Sequence, residues 1–240
     1  MIKYFRNLSL VLKNYSDGLG HLIFTNVCLH CNKELVSTEK YLCFGCWEQL
    51  KPTYFEKEKG VNQLERLFQG RANIKHASAL YYYGKGTVSQ SLIRALKYDF
   101  KAPLGIFLGE HMAVLLKDHA ITSCDYLLPV PIHPRKKFAR GYNQSELLAI
   151  GLSKHWHKPI LQHLVKKKTY TKSQTQLDRF GRWENVQDIF KGLGTNLSNA
   201  HVLIVDDVIT TGATLEALVK AIRDVNPQIQ ISLLSFAFTN

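Results

Sequence analysis

The stretch from His201 to Thr214, His-Val-Leu-Ile-Val-Asp-Asp-Val-Ile-Thr-Thr-Gly-Ala-Thr, constrains the fold of this chain more than any other. Val202 to Val205 is a short run of apolar, mostly branched residues, as in a strand buried on both faces of a parallel sheet. Leu215, Leu218, Val219 and Ile222 then recur with the spacing of one helical face. Between the two lie Asp206 and Asp207, where the strand is expected to end, and the small residues Thr210, Thr211, Gly212, Ala213 and Thr214. An α/β fold with an open, mostly parallel sheet flanked by helices is the expectation.

The chemistry of that junction is specific. A helix N-terminus offers unpaired N–H groups and the positive end of its dipole, and so attracts phosphate. Gly212 lets the backbone approach closely, and the threonine hydroxyls add donors. Two adjacent acids upstream suit a group rich in hydroxyls, or a cation held with it. Phosphate about one turn from vicinal hydroxyls describes a ribose 5-phosphate. The plainer alternative is a capped helix after a buried strand, with Asp207 and Thr211 serving turn chemistry. Neither Gly-x-x-x-x-Gly-Lys-Ser/Thr nor Gly-x-Gly-x-x-Gly occurs, so a P-loop or dinucleotide-binding reading lacks its fingerprint.

Four of the five cysteines fall in one short segment, as Cys28-Leu-His-Cys31 and Cys43-Phe-Gly-Cys46. Two C-x-x-C knuckles let four thiolates converge tetrahedrally, as a closed structural zinc site requires. Four protein ligands leave no open position for catalysis. His30 is a fallback ligand between two better ones, and Cys124, alone, reads as a small core residue.

Charge is uneven. The 240 residues carry a net +12, and Pro131 to Arg182 holds 12 Lys and Arg against Glu146 and Asp178. This excess, just upstream of the phosphate-site candidate, suits polyphosphate or nucleic acid; a solvated basic face is the alternative. No apolar run is long enough to span a membrane, and the N-terminus lacks a small-residue cleavage site, so a cytoplasmic protein is expected.

In chain order, residues 1 to about 24 are helix-compatible. The expected organisation is an N-terminal helix and zinc-finger module over 1–55, a polar connector over 56–73 with a short helix near Leu64 to Phe68, and the main domain over 74–240. Strands are expected at 77–83, 126–130, 160–165, 186–190 and 229–238, and helices at 88–98, 104–117 and 143–153. Behind the 126–130 strand comes a loop with Arg135, Lys136, Lys137, Arg140, Gly141, Asn143 and Gln144, which reads as a pyrophosphate site; a basic surface loop with Asn143 as helix cap is the alternative. The segment 166–182, with Lys166, Lys167, Lys168, Lys172 and Arg179, has the composition of a mobile lid or a nucleic-acid contact.

Residues 202–214 resemble the phosphoribosyl-pyrophosphate (PRPP) loop of type I phosphoribosyltransferases. With Cys28, Cys31, Cys43 and Cys46, then Arg140-Gly-Tyr-Asn-Gln144, then Gln176, Arg179, Asn185 and Phe190, the order of motifs is similar to the competence protein F (ComF) family, and Lys97-Tyr98 fits the same pattern. The resemblance implies a type I phosphoribosyltransferase-like fold with an N-terminal zinc finger, and a role in DNA uptake during natural transformation. It implies that Asp206 and Asp207 hold the ribose, that Thr210 to Thr214 wrap the 5-phosphate, and that Arg135 and Arg140 take the pyrophosphate, with Mg²⁺ accompanying PRPP. Asp206, Asp207 and Arg140 would then be the catalytic residues.

Two functions follow. One is a ribose-phosphate-binding protein that handles incoming single-stranded DNA together with DNA-uptake proteins, with Tyr142, Tyr170 and Trp183 as stacking aromatics. The other is an active phosphoribosyltransferase of unnamed acceptor in nucleotide or sugar metabolism.

Overall fold

A computed structural model describes residues 26–99, 101–167, 189–194, 197 and 199–239. The expected N-terminal helix, most of the expected lid, including Lys168, Tyr170, Lys172, Gln176 and Arg179, and the expected residues Trp183 and Asn185 lie outside the described residues. The chain divides into two compact units, Met1–Leu50 and Lys51–Asn240.

In the first unit, each cysteine pair closes a tight turn. The Cys28 carbonyl accepts from Asn32 N–H at 3.0 Å, and the Cys43 carbonyl accepts from Cys46 and Trp47 N–H, both at 3.0 Å. The second turn opens helix α1 (Phe44–Glu48). The Glu39 carboxylate accepts from the N–H groups of Val36 and Phe44, which fixes the approach to that helix.

The second unit is built on a four-stranded parallel sheet of β1 (Ala77–Tyr82), β2 (Tyr126–Pro129), β5 (His201–Ile209) and β6 (Gln230–Phe238), in spatial order β1-β6-β5-β2. Leu127 pairs with Leu203, Leu203 with Ser232, and Ala77 with Leu233. The central strands are buried along almost their whole length, as their unbroken apolar runs require. Around them are α2 (Gln63–Phe68), α3 (Val88–Tyr98), α4 (Ala102–Leu115), α5 (Pro134–Arg140), α6 (Gln144–Trp156) and α7 (Ala213–Arg223). A small antiparallel hairpin, β3 (Val165–Lys167) with β4 (Phe190–Gly192), packs on α7.

Two features position the site. Strand β5 lies between β6, reached through α7, and β2, whose connection to β5 contains α6, so the carboxyl ends of β2 and β5 lie side by side at the same edge of the parallel sheet. In open α/β folds a crevice opens there. Helix α6 reaches this point because it lies close against α4: a Cβ on Gly109 or Gly151 would collide with the facing helix backbone.

The structure differs from the sequence expectations in four places. Strand β5 does not stop at Val205. Val208 and Ile209 remain paired with Ala237 and Phe238 of β6, so Asp206 and Asp207 lie within the strand. What ends at Val205 is the pairing with β2, whose last registered pair is Pro129 with Val205. The two acids are therefore unpaired on that edge. Residues 134–140, expected as loop, form helix α5: Pro134 sits in its first turn, His133 Nδ1 accepts from Arg135 N–H at 3.2 Å, and Gly141 ends it at φ 77°. The 56–73 stretch is part of the second unit's core rather than a spacer. Its helix α2 has an Asn62–Glu65 capping box and buries Leu64 and Phe68 completely. Ile160 makes a single parallel bridge to Leu127, and the strand proper begins at Val165. Among the described residues, no helix is long and apolar enough to cross a membrane.

Candidate functional site

The turn from β5 into α7 forms a compact cradle. Asp206, Val208, Ile209 and every residue from Thr210 to Leu215 line a cavity of about 50 Å³. Thr210, Thr211 and Thr214 are exposed, whereas Gly212 is buried with φ 74°. A Cβ at Gly212 would also lie 2.9 Å from the Phe68 ring, so glycine is needed there twice over. Gly212, the N-cap of α7, has no side chain to cap it, and apart from Ala213 N–H, which donates to Thr211 Oγ1 at 3.5 Å, the first-turn N–H groups of α7 are directed at the cradle. The cradle is braced from behind. Arg71 donates to the Thr211 carbonyl at 3.0 Å and, through Nε and Nη2, to Glu216 Oε2 at 3.1 and 2.7 Å.

The two acids are held by different elements. Asp206 Oδ1 accepts from Ser145 Oγ and from the Asp207 N–H, both at 2.9 Å. Asp207 Oδ1 accepts from Val208 N–H at 2.8 Å, and Asp207 Oδ2 is ion-paired with Lys97 Nζ at 2.8 Å. Burial raises the Asp206 carboxyl to about 7, with the Asp207 charge adding to it; the Asp207 N–H, the Ser145 hydroxyl and Lys97 act in the opposite direction. Hydroxyl groups are suitable partners for such a pair, since they donate to a carboxylate and bring no charge of their own.

Cations surround this end of the sheet. Arg140 donates to Gln144 Oε1 at 2.9 Å and lies over the Tyr98 ring, 5.5 Å from its centroid. Gln144 is buried and its Nε2 has no partner among the described residues. Because Ser145 follows Gln144, a short relay connects Arg140 to Asp206. Lys167 of β3 belongs here too. Burial lowers its ammonium below the ordinary lysine range, Lys136 adds to this, and Asp206 opposes it. Arg135, Lys136 and Lys137 are exposed on α5, and Lys166 is exposed on β3.

Three expected residues are occupied otherwise. Asn143 is buried, with Nδ2 donating to the Val130 carbonyl at 3.0 Å and Oδ1 accepting from Ser145 N–H at 3.2 Å, so it caps α6. Gly141 serves as the left-handed end of α5. Tyr142, expected to stack on bases, has its hydroxyl donated to the Leu96 carbonyl at 2.9 Å. Ser145, Arg71 and Phe68 had not been singled out from the sequence, and Lys97 only as part of a family pattern.

In the first unit the Sγ atoms of Cys28, Cys31, Cys43 and Cys46 all lie within 4.8 Å of one another, with Cys31 and Cys43 at 3.7 Å. A tetrahedron with Zn–S bonds of about 2.3 Å has edges of about 3.8 Å, so the donor set fits a tetrahedral, thiophilic ion. Burial pushes the Cys28 thiol up, but N–H groups of Cys31, Cys43 and His30 more than offset this and bring it to about 6. Cys46 is pushed up, first by burial and then by the neighbouring sulfurs, a conflict that a cation among them relieves. Cys124 is fully buried in the second unit.

A family model described as "Phosphoribosyl transferase domain" matches residues 155–237, which include the hairpin, β5, the cradle and α7. Competence protein F of Haemophilus influenzae is 28% identical over 210 residues, 82% of this chain and 90% of that protein. DNA utilization protein YhgH of Escherichia coli K12 is 35% identical over 91 residues, 38% of this chain and 40% of its own length. Competence protein ComFC of Bacillus subtilis is 26% identical over 142 residues, 59% of this chain and 51% of that one.

Proposed function

We propose that this chain, a ComF-family homologue carrying a phosphoribosyl transferase domain, binds a ribose phosphate of the PRPP type at the carboxyl end of β5 and serves in DNA uptake. The observation that carries the ligand is the joining, in one cavity, of a carboxylate and an uncapped helix start. The 5-phosphate would accept from the N–H groups and hydroxyls of 210–214, and the ribose hydroxyls would donate to Asp206 and Asp207. Arg140 and Arg135 would face the pyrophosphate. Mg²⁺ entering with such a ligand supplies charge neutralisation at its pyrophosphate.

The same arrangement serves a transferase. Departure of pyrophosphate from the anomeric carbon builds negative charge on the leaving group, and Arg140, held by Tyr98 and Gln144, is pre-oriented to stabilise it. Calorimetry with ribose 5-phosphate tests the reading. The Asp206→Asn, Asp207→Asn double variant should lose binding while it still unfolds cooperatively. Unchanged affinity in that variant would overturn the assignment.

A nucleic-acid surface is supported by a separate observation. Helix α5 buries none of its residues, and Phe138 is 93% exposed among Arg135, Lys136, Lys137 and Arg140. An open aromatic ring surrounded by cations suits stacked bases and phosphates of a single strand, in keeping with the DNA utilization and competence names of the relatives. Zinc in the four-cysteine site would be structural.

A further inference from the structure

The last turn of α3 reaches three parts of the site with three consecutive residues. The Leu96 carbonyl, in the last turn of the helix, accepts from Tyr142 OH at 2.9 Å. Lys97 Nζ lies 2.8 Å from Asp207 Oδ2. The Tyr98 ring supports the Arg140 guanidinium at 5.5 Å. Arg140 ends α5, Tyr142 lies in the turn between α5 and α6, and Asp207 lies on β5. One helix end thus connects the cationic segment expected to face pyrophosphate with the carboxylates expected to face ribose. Helix α3 is suited to this because it is anchored elsewhere: Thr87 caps its start, and Val88, Leu92, Ile93, Ala95 and Leu96 are buried.

We propose that Lys97 is a positioning residue of the ligand site: it fixes Asp207 beside Asp206, in register with Arg140, so that one ligand meets both halves at once. The inference rests on the ribose-phosphate reading above and adds to that site a residue at the end of α3, far in sequence from 202–214. Asp207 is 7% exposed, and a carboxylate so placed beside a second one needs a fixed cation. Lys97 is that cation. Ser145 performs the corresponding task for Asp206 from the first turn of α6. The cradle at 210–214 needs neither, because Arg71, Glu216 and Phe68 hold it.

This division of labour gives the test. Inorganic phosphate should engage the cradle alone, whereas ribose 5-phosphate engages the cradle and both aspartates. In calorimetric titrations, Lys97→Met, which keeps the aliphatic stem, should weaken ribose 5-phosphate roughly tenfold and leave inorganic phosphate unchanged. Lys97→Arg should restore the ribose-phosphate affinity. A Lys97→Met protein that binds ribose 5-phosphate like the parent overturns the inference, as does equal weakening of both ligands accompanied by a lowered melting temperature, which marks a merely structural ion pair. If the parent protein binds ribose 5-phosphate no better than inorganic phosphate, the underlying reading of the site is what fails.

Discussion

Asp206 makes the site sensitive to pH. Its carboxyl is raised to about 7 in the folded chain, by burial first and by Asp207 second, against about 3.9 in an unfolded chain. Between those values the folded state binds more protons, so this group's contribution is fully present below about pH 4 and is lost as pH rises through about 7. Asp206→Asn removes the effect. In urea unfolding at a series of pH values, the stability of the variant relative to the parent should rise from about pH 4 to about pH 7 and then level off. Parallel curves would contradict the stated environment of Asp206. The acid pair itself was legible in the sequence because its chemistry is local: strand, carboxylates, glycine and threonines follow one another without a break. Its supports were not. Ser145 reaches Asp206 across 61 positions, and Arg71 reaches Glu216 across 145. A lone lysine or serine in an amphipathic segment carries no sign of which distant carboxylate it will meet.

At the scale of elements, periodicity located most helices and strands to within a few residues, since burial patterns repeat along the chain whatever the topology. It misplaced α5 and the role of α2. Helix α5 has no apolar face to betray it, and forms through Pro134, the His133 cap and Gly141. Helix α2 was expected near Leu64 to Phe68, but its charged surroundings hid its role: it contributes Phe68, on which Gly212 rests. The absence of any buried residue in α5 is also its functional signal, because its six exposed residues, Pro134 to Ala139, with three cations and one open ring, have little structural duty. Fluorescence anisotropy with a labelled oligothymidylate should show single-strand binding that weakens steeply between about 50 and 200 mM salt. Phe138→Ala should weaken it roughly fivefold or more at fixed salt without changing the slope, since stacking contributes about 1–3 kcal/mol per base. Lys136→Ala should instead reduce the slope by about one. Identical curves for all three proteins would remove α5 as the contact surface.

For the whole molecule, the sequence made both the parallel sheet and the cysteine-bearing segment recognisable, but not where one unit gives way to the other. Polarity between 56 and 73 suggested a spacer, whereas Asn62, Leu64 and Phe68 are buried there, and Thr53 and Phe55, expected in the first module, are buried in the second unit. The two units are stabilised on different terms. Lys51–Asn240 has a continuous core through β1, β2, β5, β6 and α7. In the 26–50 segment the fully or nearly buried side chains are Cys28, Leu42, Cys46 and Leu50, and two of these four are thiols of the metal site. Two leucines cannot offset the conformational entropy of some twenty-five ordered residues at about 1–2 kcal/mol each. A metal ion held by the four thiols would supply such a difference, and since thiolates bind it only in the folded arrangement, its binding free energy would be folding free energy. Chelation under reducing conditions should therefore release one zinc ion per chain and abolish hydrogen-exchange protection at the Cys28, Leu42 and Cys46 amides, while the β5 and β6 amides keep theirs. Protection at Cys28 and Cys46 that survives complete removal of the metal would show that this segment folds on grounds other than the four thiols.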